Sequence, residues 1–363
     1  MHLIHFDCRH FRGGIPCKPN KQHNAECAGC QWYERIETRI LIIKLGAMGD
    51  VIRTTPLITA YRKRYPHCHI TWLTLTPDIL PPQQIDAIYP WNETSLYVLS
   101  RKKFDIAINL DKEEEACMLL AEVSAPEKYG FIWTNNHIDA ATPAANHKLV
   151  TGLFDHISQQ NTKHYLDEIF EICHLPFENE EYLINLSTGL ADTWKKNLAQ
   201  QSGGKPIIGL NTGCGNRWQT RLWPEEMWLE FIGLLMQQGY YVMVLGGPQE
   251  DEKNRRLAEA SACAYPGTFS LPEFIALTQA LDVVVTQVSM MMHIAVALKR
   301  KMVLMNNIFN RNEFYLYGRG IIAEPETGCD CFYGNSCKRQ RSCMYDLKPA
   351  VMLGHVKQLL QCD

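Results

Sequence analysis

Residues 40–55 read ILIIKLGAMGDVIRTT. Ile40, Leu41, Ile42 and Ile43 form an unbroken apolar, mostly β-branched run, the pattern of a strand buried on both faces at the centre of a parallel sheet. Gly46 and Gly49 interrupt it, and Val51, Ile52 and Leu57 then start an apolar helical period. The segment is therefore a strand, a tight glycine-containing turn and the start of a helix. Ligands of open α/β sheets bind in the crevice beyond the carboxyl ends of the strands. Asp50 falls there, and its two readings are a catalytic carboxylate or an acid that only caps the helix.

Around this unit the same rhythm recurs. Downstream, 56–65 continues as a helix ended by Pro66, 69–75 and 104–110 read as strands, and 116–123 as a helix. That alternation predicts a parallel, doubly wound sheet. Asp111 closes FDIAINLD at a second strand end and faces the same crevice in outline, while Glu113 to Glu115 read as a solvated first helical turn. From 135 to 160 the composition predicts a mobile loop bordering a substrate site. Residues 187–204 read as a linker.

The second half repeats the architecture. Strands are predicted at 206–210, 240–245, 282–286 and 301–305, with helices from Pro224 and at 253–260, 274–280 and 290–298. Three Gly- or Ser-containing turns lie at strand ends: 213–215, 246–247 and 286–290. Such turns let backbone N–H groups approach a phosphate. None contains a G-x4-G-K-[ST] or a clean dinucleotide fingerprint, so hydride transfer has little support. Arg217 and Arg221 sit in the first loop, and an arginine there can neutralise a leaving diphosphate, which favours group transfer from an activated nucleotide.

The 363 residues suffice for two domains, and a hydrophobic content of 46% is that of a globular protein. With 36 basic and 39 acidic residues in no long block, nothing points to nucleic acid or a membrane surface. The N-terminus lacks a signal-peptide core and no apolar run reaches the roughly 20 residues of a bilayer span. A cytoplasmic protein is expected, whose 14 cysteines are thiols or metal ligands before they are disulfides. Four of them, Cys8, Cys17, Cys27 and Cys30, fall in a polar N-terminal segment with little apolar periodicity. The C-x2-C at Cys27 and Cys30 can bind one ion, with Cys8 and Cys17 completing a tetrahedral set; free thiols, or a site sharing ligands with another part of the chain, are the alternatives. Cys329, Cys331, Cys337 and Cys343 form a second, denser cluster with Lys338, Arg339 and Arg341 between them, the composition of a structural iron or zinc site.

These motifs resemble glycosyltransferase family 9, the ADP-heptose-dependent heptosyltransferases, over nearly all of 40–305. KLGAMGDVIRTTPLI is similar to the family's first strand and glycine-aspartate loop, RLWPEEMW to its basic-x-Trp-Pro element, LGGPQEDE to its strand-and-acid segment and MMMHIAVAL to its donor helix. The resemblance implies an α/β fold of GT-B type, two facing Rossmann-like domains, with the acceptor on the first and the ADP-sugar on the second. Divided by sequence, these are a cysteine-rich segment (1–38), an acceptor domain (39–186), a linker (187–204), a donor domain (205–323), and a cysteine finger with a C-terminal helix (324–363).

The resemblance also implies residue roles. Asp50 matches the catalytic aspartate of an inverting transfer, Arg221 the basic residue meeting the diphosphate, Glu250 the acid at the nucleotide ribose and His293 the donor-helix histidine; Gly49, Arg217, Gly247, Ser289 and Met290 fall among the donor-binding positions. The usual Asp-Thr/Ser-Gly before that histidine is Val288, Ser289 and Met290 here, which removes a sugar-contacting carboxylate. The second cysteine cluster is similar to the iron finger of the bacterial autotransporter heptosyltransferases, in which a first-domain aspartate is the base, so Asp111 stands beside Asp50. No catalytic divalent ion is expected, because the protein supplies the cation that meets the phosphates. The acceptor is a hydroxyl of a glycan, a lipopolysaccharide or a protein, and a homo-oligomer is left open. A nucleotide-sugar epimerase of the same architecture and an inactive cysteine-cluster scaffold are the other classes.

Overall fold

The structure is a computed structural model that describes residues 3–215 and 217–361. The apolar run at its centre is the strand β1 (Thr38–Ile43), whose last four residues are fully buried. With β2 (Cys68–Thr74), β3 (Ala87–Pro90), β4 (Ile106–Asn109), β5 (Glu127–Thr134) and β6 (His137–Ala140) it forms a six-stranded sheet ordered β3-β2-β1-β4-β5-β6, parallel except for β6. That is the Rossmann strand order, and its switch point lies between β1 and β4. Lys44 to Asp50 leave β1 there and Asp111 leaves β4.

The second lobe holds β7 (Ile207–Asn211), β8 (Tyr241–Leu245), β9 (Val283–Gln287), β10 (Lys301–Met305) and β11 (Gly320–Ala323), all parallel and ordered β11-β10-β9-β7-β8. Reversed, this is the other common doubly wound order, with its switch point between β7 and β9. Each lobe therefore opens its ligand crevice at the strand ends that carry the candidate residues.

One expectation is corrected. The supposed mobile loop at 135–160 is ordered: β6 pairs antiparallel with β5, and the helices Asn146–Leu153 and Asp155–Gln160 follow. Its polar composition reflects short, half-exposed helices at the cleft rather than absence of structure. The segment 187–204, read as a linker between the two sheets' stretches of chain, holds the helix Thr188–Ser202, which is ended by Gly203 in the left-handed region and buries Ala191 and Leu198. Strands β3, β5, β6 and β11 lacked a clear sequence signal; β3, β6 and β11 are four-residue edge strands, mostly half-buried.

One apolar core runs through both lobes, from Ile40 and Trp72 to Met291 and Leu304, and a second lies under the C-terminal helix Pro349–Gln361 through Met352, Val356 and Leu359. A polar seam also joins the lobes. Asn310 Nδ2 donates to the carbonyls of Ser158 and Asn161 at 2.7 Å each, and Arg319 pairs bidentately with Glu181 at 2.7 and 2.8 Å.

The N-terminal segment folds over the outer end of the first sheet. A short helix, Lys18–His23, follows Cys17, and Cys8 pairs with Arg35 in an isolated bridge. Arg9 anchors the unit: its guanidinium pairs with Asp86 and donates to the carbonyl of Cys68 at 2.6 Å.

Candidate active site

The helix Met48–Thr54 leaves the first lobe and meets the helix Met290–Ala297 of the second. Gly49 makes this possible, because a Cβ there would overlap the imidazole of His293, with Nε2 only 3.1 Å away. One turn inward, Asp50 Oδ1 pairs with Arg53 Nη2 at 2.7 Å, and the Arg53 guanidinium lies 3.5 Å over the ring of Tyr165. About a third of the Asp50 side chain, 35%, is open to the cleft. Burial by itself would raise its pKa, but Arg53, Lys44 and the Ala47 N–H bond together hold it below the usual carboxylate range. Asp50 is therefore an ionised carboxylate facing a cleft, aligned by a cation whose own orientation is set by an aromatic ring.

His293 is 7% exposed, and burial, with Arg53 nearby, pushes it down to about 3. Its imidazole is neutral, and Nδ1 has no partner.

Asp111 is differently placed. It is 4% exposed, pairs with Lys44 and accepts from the N–H of Leu45. Burial raises its pKa against the pull of Lys44. Its oxygens are committed to holding the turn after β1, so it shapes the loop that presents Asp50.

Beneath the interlobe contact lies a cavity of about 540 Å³ at the β7/β9 switch point. Gly213, Gly247, Glu250, Ser289 and Met290 line it, with Phe269, Leu271 and Phe274 as an apolar wall and Met48 reaching in from the first lobe. Asn211, at the end of β7, ties the floor together: Nδ2 donates to Gly213 O at 2.7 Å, Thr286 Oγ1 at 3.0 Å and Ser289 Oγ at 3.4 Å. Glu250 occupies space a side chain at Gly213 would need and accepts from the N–H of Gly247 at 2.9 Å. The start of the helix Met290–Ala297 opens on this space, a favourable position for an anion. One flat apolar slot, one carboxylate and one helix N-terminus are what a nucleoside diphosphate needs for base, ribose and phosphate.

Not every candidate faces this cavity. Arg221 is 6% exposed and donates to the carbonyls of Trp218, Cys214 and Val288. It cross-braces the two loops that form the cavity rim. Arg217 instead lines a neighbouring polar cavity of about 460 Å³ with Arg53, Lys148, Asp155, Glu313, Tyr333 and Asn335. Arg53, Asn211 and the Phe269/Phe274 wall escaped the sequence reading. Arg53 carried a findable signal, since it stands three residues after Asp50 in a helix start.

The two cysteine sets do not appear as single-ion sites. Among the described residues no three His, Cys, Asp or Glu side chains are gathered as an ion would require, and no cysteine is in a disulfide. The metal-binding segments expected from the sequence are thus not shown by the described residues. The C-terminal set nevertheless has N–H donors aimed at sulfur: Cys331 N to Cys329 Sγ and Lys338 N to Cys331 Sγ, both at 3.4 Å, and Asn307 Nδ2 to Cys343 Sγ at 3.6 Å. Tyr333 and Asn335 of this loop line the polar cavity, and Thr220 Oγ1 donates to Gly334 O at 2.9 Å.

Residues 97–307 match the model of glycosyltransferase family 9 (heptosyltransferase). The chain belongs to that family and is a glycosyltransferase. It is 23% identical over 245 residues to lipopolysaccharide heptosyltransferase 1 of Escherichia coli O18:K1:H7 strain RS218, covering 62% of this chain and 72% of that protein. Among solved structures it is similar to a family 9 glycosyltransferase from Veillonella parvula DSM 2008 (TM-score 0.69, 20% identity, 90% of this chain and 98% of that one). It also resembles E. coli heptosyltransferase WaaC with ADP (TM-score 0.59, 18% identity, 89% and 98%). A third likeness is to the iron-containing dodecameric glycosyltransferase TibC of enterotoxigenic E. coli H10407 (TM-score 0.54, 15% identity, 89% and 78%). These likenesses fit a GT-B arrangement of the two sheets.

Proposed function

We propose that the protein is an inverting transferase that moves a heptose from an ADP-sugar to an acceptor hydroxyl, with Asp50 as general base. The observation that carries the reading is that the ionised, partly open Asp50 carboxylate is flanked by residues of both cavities: Met48 lines the nucleotide-shaped cavity, and Arg53, the ion-pair partner of Asp50, lines the polar one. Asp50 takes the proton of the acceptor hydroxyl as its oxygen attacks the anomeric carbon from the face opposite the departing ADP.

In this reading the adenine stacks in the slot of Phe269, Leu271 and Phe274, Glu250 and Gly247 meet the ribose, and the backbone of 213–215 with the N-terminus at Ser289 and Met290 receives the diphosphate. Arg221 acts as a positioning residue that holds both phosphate loops in register. Arg217, from the other cavity, is the free guanidinium near the sugar, stacked 4.4 Å over Trp218. His293 fixes the distance between the lobes as a neutral, apolar-facing ring. Asp111 remains the second candidate base, disfavoured by its bonds to Lys44 and Leu45. In this reading the diphosphate is met by backbone N–H groups and a helix N-terminus, no divalent ion is assigned there, and the protein is assigned to the cytoplasm.

The mixed charge of the 460 Å³ cavity suits a polar, hydroxyl-bearing acceptor: a lipopolysaccharide core sugar, another glycan or a protein side chain. We further assign a structural iron or zinc to Cys329, Cys331, Cys337 and Cys343, supported by the three N–H donors that surround these sulfurs, as thiolate ligands require.

The test is donor binding and turnover. ADP-heptose and ADP should raise the melting temperature where UDP and GDP do not, and ADP should be released when a lipopolysaccharide acceptor is added. No shift with any ADP-sugar would leave the scaffold reading in its place.

A further inference from the structure

The loop between Cys331 and Cys337 brings residues from near the end of the chain to the cleft. Tyr333 and Asn335 line the polar cavity of about 460 Å³ together with Arg53, the ion-pair partner of Asp50, and neither of them lines the nucleotide-shaped cavity. The first lobe adds Lys148, Thr151 and Asp155 to the same wall. What this loop touches during transfer is therefore on the acceptor's side of Asp50, not the donor's.

Tyr333 is held on several sides. Its N–H donates to Ile308 O at 3.0 Å, Thr220 Oγ1 donates to the next carbonyl, Gly334 O, at 2.9 Å, and its ring packs edge-on against Phe309 and Trp218 with centroids 5.1 and 5.8 Å apart. Its φ of 44° lies in the left-handed region that favours glycine, a conformation that a bulky residue keeps only where its surroundings impose it. The hydroxyl donates to Glu313 Oε1 at 2.7 Å, and Glu313 lines the cavity too. Burial and the Glu313 carboxylate push the phenol's pKa well above its ordinary value, with Arg53 opposing and Asp50 adding, so the ring is neutral and lies within the field of the reacting pair. A tyrosine hydroxyl has one proton to give. Because that proton goes to Glu313, the phenol oxygen is left as an acceptor, suited to a partner that donates and not to a bare anionic oxygen.

We propose that Tyr333 is an acceptor-binding residue, whose phenol oxygen accepts a hydrogen bond from a donor group beside the hydroxyl being glycosylated, with Glu313 orienting it and Asn335 completing the contact. The cysteine loop is then part of acceptor recognition and not a remote staple. This rests on the transfer reading and extends it to the residues that choose the acceptor.

The experiment is steady-state kinetics on the full chain at saturating ADP-heptose, offering lipopolysaccharide, a free glycan and a protein in turn and titrating whichever drives ADP release in the parent. Tyr333→Phe keeps the ring and removes the oxygen, so the acceptor KM should rise about 3- to 10-fold, the worth of one hydrogen bond, while the rise in melting temperature caused by ADP stays at the parent's value. Asn335→Ala, at an exposed position, should move the acceptor KM in the same direction, and it decides if Tyr333→Phe does not fold. An unchanged acceptor KM in Tyr333→Phe would overturn the proposal. So would a lower kcat at unchanged KM with a shifted acid limb of the pH profile, the result of a pair that acts through Arg53 on Asp50. A parent that releases no ADP with any acceptor removes the transfer reading and this inference with it, whereas a working parent with unmoved variants removes this inference alone.

Discussion

Gly49 and His293 face each other across the cleft with no room for a methyl group between them. The two lobes thus touch through a glycine of the acid-bearing turn and the imidazole of the second lobe's helix, and the spacing between Asp50 and the donor cavity is set there.

Gly49→Ala should therefore push the lobes apart. Overpacking of this kind costs about 1–3 kcal/mol, and kcat should fall because the carboxylate recedes from the reacting carbon. His293→Ala creates the missing space, so the double variant should recover much of the stability that Gly49→Ala loses. Chemical denaturation of the four proteins measures the coupling, and strict additivity would contradict the contact.

Asp50→Asn should lower kcat by ~10²–10⁴ while donor affinity stays near the parent's. Because the Asp50 pKa is held below the ordinary range, activity should persist on the acid side until pH falls through that depressed value. Asp111→Asn should act instead on folding, since it strips the buried Lys44 of its counter-charge; removing one partner of a buried pair costs about 3–5 kcal/mol. Normal turnover by Asp50→Asn beside a folded, dead Asp111→Asn would move the base to Asp111.

Arg221→Ala frees three carbonyls on two loops, and the donor KM should rise about 5- to 150-fold, by the ~1–3 kcal/mol that unsatisfied buried groups cost. Arg221→Lys should rescue it only in part, because an ammonium is one point charge and cannot span carbonyls at fixed angles. Complete rescue by Lys would instead indicate direct charge contact with the diphosphate.

Asp86 gives a stability prediction with a sign. It accepts from Ile70 N at 2.8 Å and pairs with Arg9 and Arg62; burial opposes its ionisation, but these partners depress its pKa. A depressed carboxylate contributes in full above its unfolded value of about 3.9 and loses that contribution as pH falls through the lower folded value. Asp86→Asn should release the N-terminal unit to limited proteolysis at neutral pH while the rest of the chain stays resistant.

What could be read from sequence follows from which residues carry a period. The central strands β1, β7, β9 and β10 are buried apolar runs, and their positions were legible within about a residue or two. The edge strands β3, β6 and β11 are short and half-exposed, with no such run to find. At the site, Asp50 was legible as an acid in the turn and helix start after a buried strand, while Glu250, Ser289 and Met290 were reached through the family resemblance and line the cavity. Arg221 was legible as a cation but not in its bonding, because a guanidinium turned inward onto carbonyls looks in sequence like one turned outward to a ligand. The aromatic slot at Phe269 and Phe274 was hidden in an ordinary helix and the loop before it.

The seam from Asn310 to Arg319 does more than hold the lobes together. Bonds to Ser158, Asn161 and Glu181 clasp the two halves beside the polar cavity, which Ser158 itself lines, so the spine that joins the halves is also part of the acceptor's wall. Loosening that spine would leave each half intact yet let the acid and the sugar lose their alignment.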